Sequence, residues 1–505
     1  APELAPALAG LLVQVAEAAA GHAVWAQLAA QPDLGRAWQQ LAQLAFASWR
    51  CYWRRAPWRG ANFGGWLLLE PGPSAELWNE LDAEDEIWDE YELCLQLDVR
   101  AREEAIEAYR ARWLTEQEFE KLREHGLNAV RVPFGYWVVT GPTRGEPFVG
   151  PGLQHLDRAV DMAERFGIQV VLDLHGNPGG ESGDPPCGRR NRAWTQACWR
   201  RDEALRVLEI VARRYAGRRC VAGIQVSNEP SRKCEMGALC DWFERAIEVI
   251  RRAGMQAGDV AIIVPVYDHD RLEEFVPLWM LRGNFLRFEN VVLDLHYYHC
   301  FGGGWQRLDH GDHLAEAAAH GRVLQSLPGA MVGEWSLSRP GQVLATDAME
   351  REFGEAQLRA YAAASHGWFF WNFCDSEEHW DLATCLESGW LPGALGPGPP
   401  AEGAVPADEA WMARRAASGS FPACYGSEGC RAPPGHEPPS AEQAARGLAE
   451  AVGCTVQVAA EVLAACGGDQ AEAAVLLTAS SPSAGASGEN GGLQRGQKRT
   501  RSPGD

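Results

Sequence analysis

The chain has 505 residues, of which 46% are hydrophobic and 23% charged, and carries a formal net charge of -22. Length allows two or three folding units, one of them large, and the composition is that of a globular protein. The acidic balance weighs against nucleic acid as a partner, since polyanion binding rests on Lys and Arg neutralising phosphates.

In chain order, residues 8–30 are apolar and Ala-rich but interrupted by Gln14, Glu17, His22 and Gln27, with no basic run before them. This reads as an amphipathic helix in an N-terminal helical extension, residues 1–58, neither a signal peptide nor a membrane span. From Arg59 onward, runs of Val, Ile and Leu alternate with stretches of helical period, the pattern of βα units around a parallel sheet. The first strand is expected at 59–67 (RGANFGGWL). The acidic stretch between Glu76 and Glu107 reads as a solvated face or excursion. Further strands are expected at 128–134, 169–175, 221–229, 261–267, 291–298, 330–336 and 367–373, with helices at 153–166, 203–215 and 348–364 among those between. Eight strands with crossover helices predict an α/β fold, a (β/α)8 TIM barrel over 59–392, with its chemistry where the strands end. No clear helix follows the eighth strand, so the N-terminal helices are expected to cover that gap, or the barrel closes less regularly.

A Pro/Gly-rich linker is expected at 393–440. Residues 441–480 predict a small three-helix module: Gly467-Gly468 stops its second helix, and Asp469 with Glu472 makes a capping box for the third. Residues 481–505, Ser- and Gly-rich, read as a disordered tail. The 14 Cys contain no CxxC pair, which excludes a zinc ribbon or thioredoxin-type motif. Cys424 and Cys430 could close a small loop, and buried free thiols explain most of the 14 positions equally well.

The predicted strand ends are crowded with ionisable and amide groups, which core strands have no packing reason to carry. The second holds Arg131, the third Asp173 and His175, the fourth Asn228 and Glu229, the sixth His296 and Tyr298, the seventh Glu334, and the eighth Trp371. Taken singly, each has a plainer explanation. Asn-Glu-Pro (228–230) suits a helix start with a first-turn proline, Gly-Glu-Trp a turn, His175 a core histidine, Arg131 a structural ion pair and Trp371 ordinary core. Jointly, Glu229 and Glu334 place two carboxylates in one mouth, the pair glycoside hydrolysis requires: one to protonate the leaving oxygen, one to attack or to activate water.

These segments carry a resemblance. RGANFGGWLLLEPG (59–72), DEYELC (89–94), LTEQEFEKLREHGLNAVRVPFGYWVV (114–139), VVLDLHGNPGGESG (170–183), IQVSNEP (224–230), VVLDLHYYHCF (291–301), VGEWSLS (332–338) and GWFFWNF (367–373) together resemble family 5 glycoside hydrolases. The similarity points to the exo-β-1,3-glucanase and β-glucosidase branch. It implies a retaining double displacement with Glu229 as acid/base and Glu334 as nucleophile. It also implies that Arg131 keeps Glu334 ionised, Asn228 meets the sugar 2-hydroxyl, and His175 and His296 bond the ring or the carboxylates. Tyr298 would touch the nucleophile, Glu70 would grip the non-reducing sugar, and Trp371 would floor the same subsite. Neither metal nor cofactor is implied. On chemical grounds, a cation beside Glu334 should lower its pKa, and Glu229 needs surroundings that raise its own.

The chain departs from that family after Gly183, where Asp184-Pro185-Pro186-Cys187-Gly188 replaces an aromatic and an Asn that clamp the acceptor sugar, and the acidic stretch 76–90 is longer than the family's loop. The expected partner is a β-glucan or β-glucoside; the alternative within enzymes is a sphingolipid or sterol glucoside. Residues 441–480 resemble a ubiquitin-associated domain, with Val452-Gly453-Cys454 where such domains have Met-Gly-Phe, which implies ubiquitin as a partner and the alternative of a non-catalytic glycan- or ubiquitin-binding adaptor. A three-helix packing unit without a partner fits the same residues. The glucanase resemblance suggests a secreted or cell-surface protein and the ubiquitin-associated one a cytoplasmic or nuclear protein.

Overall fold

The computed structural model describes residues 55–396 apart from Asp85, His269, Asp270, Gly303 and Pro328. The chain divides into two compact units, Ala1–Pro434 and Gly435–Asp505, and every described residue belongs to the first. The helical extension up to residue 54, the linker beyond residue 396, the three-helix module at 441–480, the tail at 481–505 and the Cys424/Cys430 pair lie outside the described residues.

Eight parallel strands close a barrel in sequence order: β1 (Trp58–Asn62), β2 (Ala129–Gly135), β3 (Gln169–Gly176), β4 (Val221–Gln225), β5 (Ala261–Tyr267), β6 (Val291–Tyr297), β7 (Ala330–Trp335) and β8 (Gly367–Phe370). β1 pairs with both β2 and β8, which completes the ring. The near-continuous apolar runs follow from burial on both faces. Val130, Val132, Val170, Leu172, Ile262, Val264 and Leu293 join the large core shared with the helices. Alternate residues, among them Ala129, Val171, Ala222, Ile263, Val292, Met331 and Phe369, fill the inside of the barrel together with Trp58.

The helices follow their apolar stripes. In the helix Leu153–Phe166, Leu156, Ala159, Val160 and Ala163 recur at intervals of three and four and are buried, and Gly167 ends it in a left-handed conformation. Helices Arg201–Tyr215 and Asp347–Tyr361 also lie where the periodicity puts them. A six-residue helix, Leu382–Glu387, does follow β8; Asp381 caps it by accepting from the Thr384 N–H at 2.7 Å, and its single turn and a half is too short to show a period. Among the described residues no helix is long and apolar enough to cross a membrane, and the cysteines are free thiols.

The acidic stretch is more than a solvated face. Glu90 is fully buried and accepts from the Leu69 N–H (2.9 Å) and the Trp137 indole (2.9 Å), with Arg110 beside it at 3.4 Å. Burial pushes its carboxyl up to about 7 against the pull of Arg110. Asp89 caps the helix Glu90–Gln96 and also accepts from the Arg190 N–H at 2.6 Å. Arg190 pairs with Glu92 at 3.0 Å, the Tyr91 N–H donates to the Gly188 carbonyl at 3.0 Å, and the Arg189 guanidinium lies 4.1 Å over the Tyr91 ring. The acidic excursion is thereby laced to the loop after β3, the one that carries Asp184.

Candidate active site

Strand alternation sorts the barrel interior into layers. Above the apolar floor, the next inward positions are Asn62 on β1, Arg131 on β2, Asp173 on β3, Gln225 on β4 and Asp294 on β6, all fully buried. His175, His296 and Trp371 stand one further step toward the mouth. β7 breaks the alternation: its register against β6 shifts between Leu295 and His296, so that Leu295 faces Val332 and His296 faces Glu334. The additional residue, Gly333, turns Glu334 inward. Gly333 cannot be larger, because a Cβ there would stand 2.2 Å from an Asp294 carboxylate oxygen.

Arg131 therefore sits in mid-strand, not at the tip of β2, and reaches the site through the length of its side chain. Four hydrogen bonds and an ion pair leave from it: Nε donates to Gln225 Oε1 (2.9 Å), Nη1 to Asn62 Oδ1 (2.7 Å) and Glu334 Oε1 (2.9 Å), and Nη2 to Asn228 Oδ1 (2.8 Å), while Nη2 also pairs with Asp173 Oδ2 at 2.9 Å. Burial alone would favour the neutral form, but Asp173, Glu334 and Asp294 raise the affinity for the proton further still. A permanent cation is thus fixed against one oxygen of Glu334. The other accepts from the Tyr298 hydroxyl at 2.8 Å.

Asn228 and Glu229 lie beyond the end of β4 in an extended loop; the following helix starts only at Met236, so Asn-Glu-Pro is not a helix N-terminus. The Asn228 amide donates to His175 Nε2 at 3.1 Å, and His175 Nδ1 donates to Asp173 at 2.6 Å. Glu229 accepts from His296 Nδ1 at 2.7 Å, which also lies 3.3 Å from Glu334, while His296 Nε2 donates to Asp294 at 3.1 Å. Burial opposes a charge on His296, yet Glu334, Asp294 and Glu229 together hold its proton and push it up to about 10. The same imidazolium, with His175 and Arg131, overcomes burial at Glu229 and leaves that carboxyl lowered. This corrects the expectation that the surroundings of Glu229 raise its pKa: the proton is held by the histidine.

Glu70 and Trp371 stand across the mouth, on the loops after β1 and β8. Glu70 Oε1 is buried without a hydrogen-bond partner among the described residues. Burial, then the charges of Glu334, Asp375 and Glu229, push its carboxyl well up. Trp371 stacks on His175, ring centroids 5.7 Å apart and 20° between planes. A carboxylate oxygen of Glu229, one of Glu334 and a nitrogen of His296 all lie within 4.8 Å of one another. Among the described residues these three are the donors gathered closely enough to ligate a cation, but each is already engaged in the hydrogen bonds above.

All nine expected site residues meet at this mouth. Asp294, Gln225 and Asn62 escaped the sequence reading, and so did Phe301, which is half exposed and edge-on to Tyr298 at 5.1 Å. A signal existed for the first of these: the repeated Asp-Leu-His of β3 and β6 puts Asp173 under His175 and Asp294 under His296 at strand period.

Comparison with known proteins agrees with the geometry. The family model for cellulase (glycosyl hydrolase family 5) matches residues 96–377. A probable glucan 1,3-beta-glucosidase A of Emericella nidulans is 31% identical over 382 residues, covering 67% of this chain and 90% of its own. A glucan 1,3-beta-glucosidase of Schwanniomyces occidentalis is 29% identical, covering 66% and 87%. In fold, the chain is similar to the rutinosidase from Aspergillus niger, with a TM-score of 0.54 and 18% identity over 67% of this chain and 98% of that one. Barrel, paired carboxylates and sequence relatives converge: the chain belongs to glycosyl hydrolase family 5 and is an O-glycosyl hydrolase.

Proposed function

We propose that the protein is a β-glucosidase acting with retention on a β-1,3-glucan or related β-glucoside, with Glu334 as nucleophile and Glu229 as acid/base. The observation that carries this is the separation of the carboxylates. Oxygens of Glu229 and Glu334 come within 4.8 Å, whereas an inverting pair needs roughly 6.5 to 9.5 Å to admit water between them.

His296 completes the proton inventory. Transfer across its 2.7 Å hydrogen bond makes Glu229 the general acid. As Glu334 attacks the anomeric carbon, the glycosidic C–O bond breaks and the leaving oxygen takes that proton. Water then attacks the glycosyl-enzyme, Glu229 accepts its proton, Glu334 leaves as a carboxylate, and the proton returns to His296. Arg131 and Tyr298 hold Glu334 aimed. Glu70, with an oxygen that has no partner among the described residues, accepts from sugar hydroxyls, and Trp371 offers the face on which the sugar lies.

The names of the sequence relatives support the glucan assignment, and the altered loop at Asp184–Gly188 keeps glycolipid glucosides as the second substrate to try. Incubation with laminarin, an aryl β-glucoside and a glucosylceramide, followed by NMR, should give the β-anomer first, and Glu334→Gln should abolish it. An α-anomer first, or no turnover of any substrate, would overturn the assignment. Ubiquitin as a partner of residues 441–480 is a separate proposal, carried by the sequence resemblance and tested by pull-down of the full chain against a variant truncated at residue 440.

A further inference from the structure

The rim of the barrel carries one residue whose backbone is strained next to the reacting groups. Tyr267, at the end of β5, has φ +24°, a conformation rare and costly for a bulky side chain. The register of β5 against β6 also shifts between Pro265 and Tyr267, a local irregularity of the kind that re-aims a side chain at a strand end. The strain is held from both sides. Asp268, fully buried, pairs with Arg232 from the loop after Glu229. Arg271, whose N–H donates to Asp268 at 3.1 Å, sends its guanidinium back to the carbonyls of Ser231 (3.3 Å) and Cys234 (2.9 Å). The loops after β4 and β5 are thus tied together, with Tyr267 and Glu229 on the same side of the mouth.

The Tyr267 ring lies 6.0 Å from that of His296. Its hydroxyl makes no hydrogen bond among the described residues, and burial together with the charge of Glu229 keeps the phenol protonated, hence a donor. In the ring of strands, β4 and β5 stand opposite β8 and β1, which carry Trp371 and Glu70. A substrate whose sugar sits between Glu70 and Trp371 therefore extends past Glu229 toward Tyr267. The rim on that side is polar: Asp184 feels Glu229 on one hand and Lys233 on the other.

We infer that Tyr267 is a specificity-determining residue on the leaving-group side, its phenol hydrogen-bonding a hydroxyl of a second sugar. This rests on the assignment of Glu229 as the acid that protonates the leaving oxygen. The test compares wild type with Tyr267→Phe, which removes only the hydroxyl, and Tyr267→Ala, on a β-1,3-linked glucose disaccharide and on a nitrophenyl β-glucoside. One lost hydrogen bond corresponds to a fall of about tenfold. Tyr267→Phe should therefore lower kcat/KM for the disaccharide about tenfold, mostly through KM, and leave the nitrophenyl glucoside within twofold. Wild-type turnover of the nitrophenyl glucoside, lost in Glu334→Gln, checks the underlying assignment independently. Equal losses on both substrates, or no loss on either in both variants, would overturn the inference.

Discussion

Arg131→Lys is the most informative single perturbation of this site. The charge is kept, so any effect reports the geometry of the guanidinium. Arginine hydrogen-bonds four acceptors here and pairs with Asp173; lysine offers three donors from one point, so at least one buried acceptor is orphaned. An orphaned acceptor costs about 1–3 kcal/mol, which centres on about 2 kcal/mol and, at about 2–4 °C per kcal/mol for a large domain, gives a melting point lower by about 6 °C. Asn228 and Glu334 also lose their common anchor, and two weakened contacts of about 1.4 kcal/mol each reduce kcat/KM on an aryl β-glucoside about a hundredfold. Thermal melting by circular dichroism and initial rates measure the two effects. A variant that melts within about 3 °C of wild type and keeps a third of its activity would refute the view of Arg131 as the shared anchor of the site.

Other substitutions probe single roles. Glu229→Ala should slow alkyl and sugar leaving groups by about 10²–10⁴-fold and nitrophenol far less, since an acidic leaving group needs little protonation; equal losses would remove Glu229 as the acid. Glu70→Ala should raise KM about tenfold or more for β-glucosides without lowering the melting point, because its buried Oε1 has no partner among the described residues; an unchanged KM would place the sugar elsewhere. His366 is buried, its Nε2 3.1 Å from Asn290 Oδ1, and burial pushes it down to about 3. With the folded value below the unfolded one, its contribution is complete above pH 6.5 and lost as pH falls toward 3. The stability advantage of wild type over His366→Gln should therefore shrink by about 2–3 kcal/mol between pH 7 and 4.5 in urea titrations. A gap independent of pH would show that His366 is not held neutral.

The barrel was legible because its strands are apolar on both faces and separated by helical periods, and Glu229 and Glu334 because a carboxylate at a strand end has no packing purpose. Strand limits were less so. β4 stops at Gln225 rather than Glu229, since the chain leaves the sheet once Ser227 and Asn228 find side-chain partners in place of the ladder. The layer beneath the site stayed hidden for a different reason. Asp294 and Gln225 lie inside apolar runs, and their meaning appears only when Arg131 from another strand is brought within reach. The protonation of His296 likewise depends on three carboxylates from three elements, which no local pattern discloses.

The lacing of the acidic excursion to the loop after β3 bears on how this enzyme can be remodelled. Asp89, Tyr91 and Glu92 on one segment bind Gly188, Arg189 and Arg190 on the other, so neither segment has a shape of its own to donate. Grafting a relative's loop at 184–191 alone would take from Asp89 and Glu92 the partners that tie them across to β3's loop, and the two segments are better treated as one exchangeable cassette.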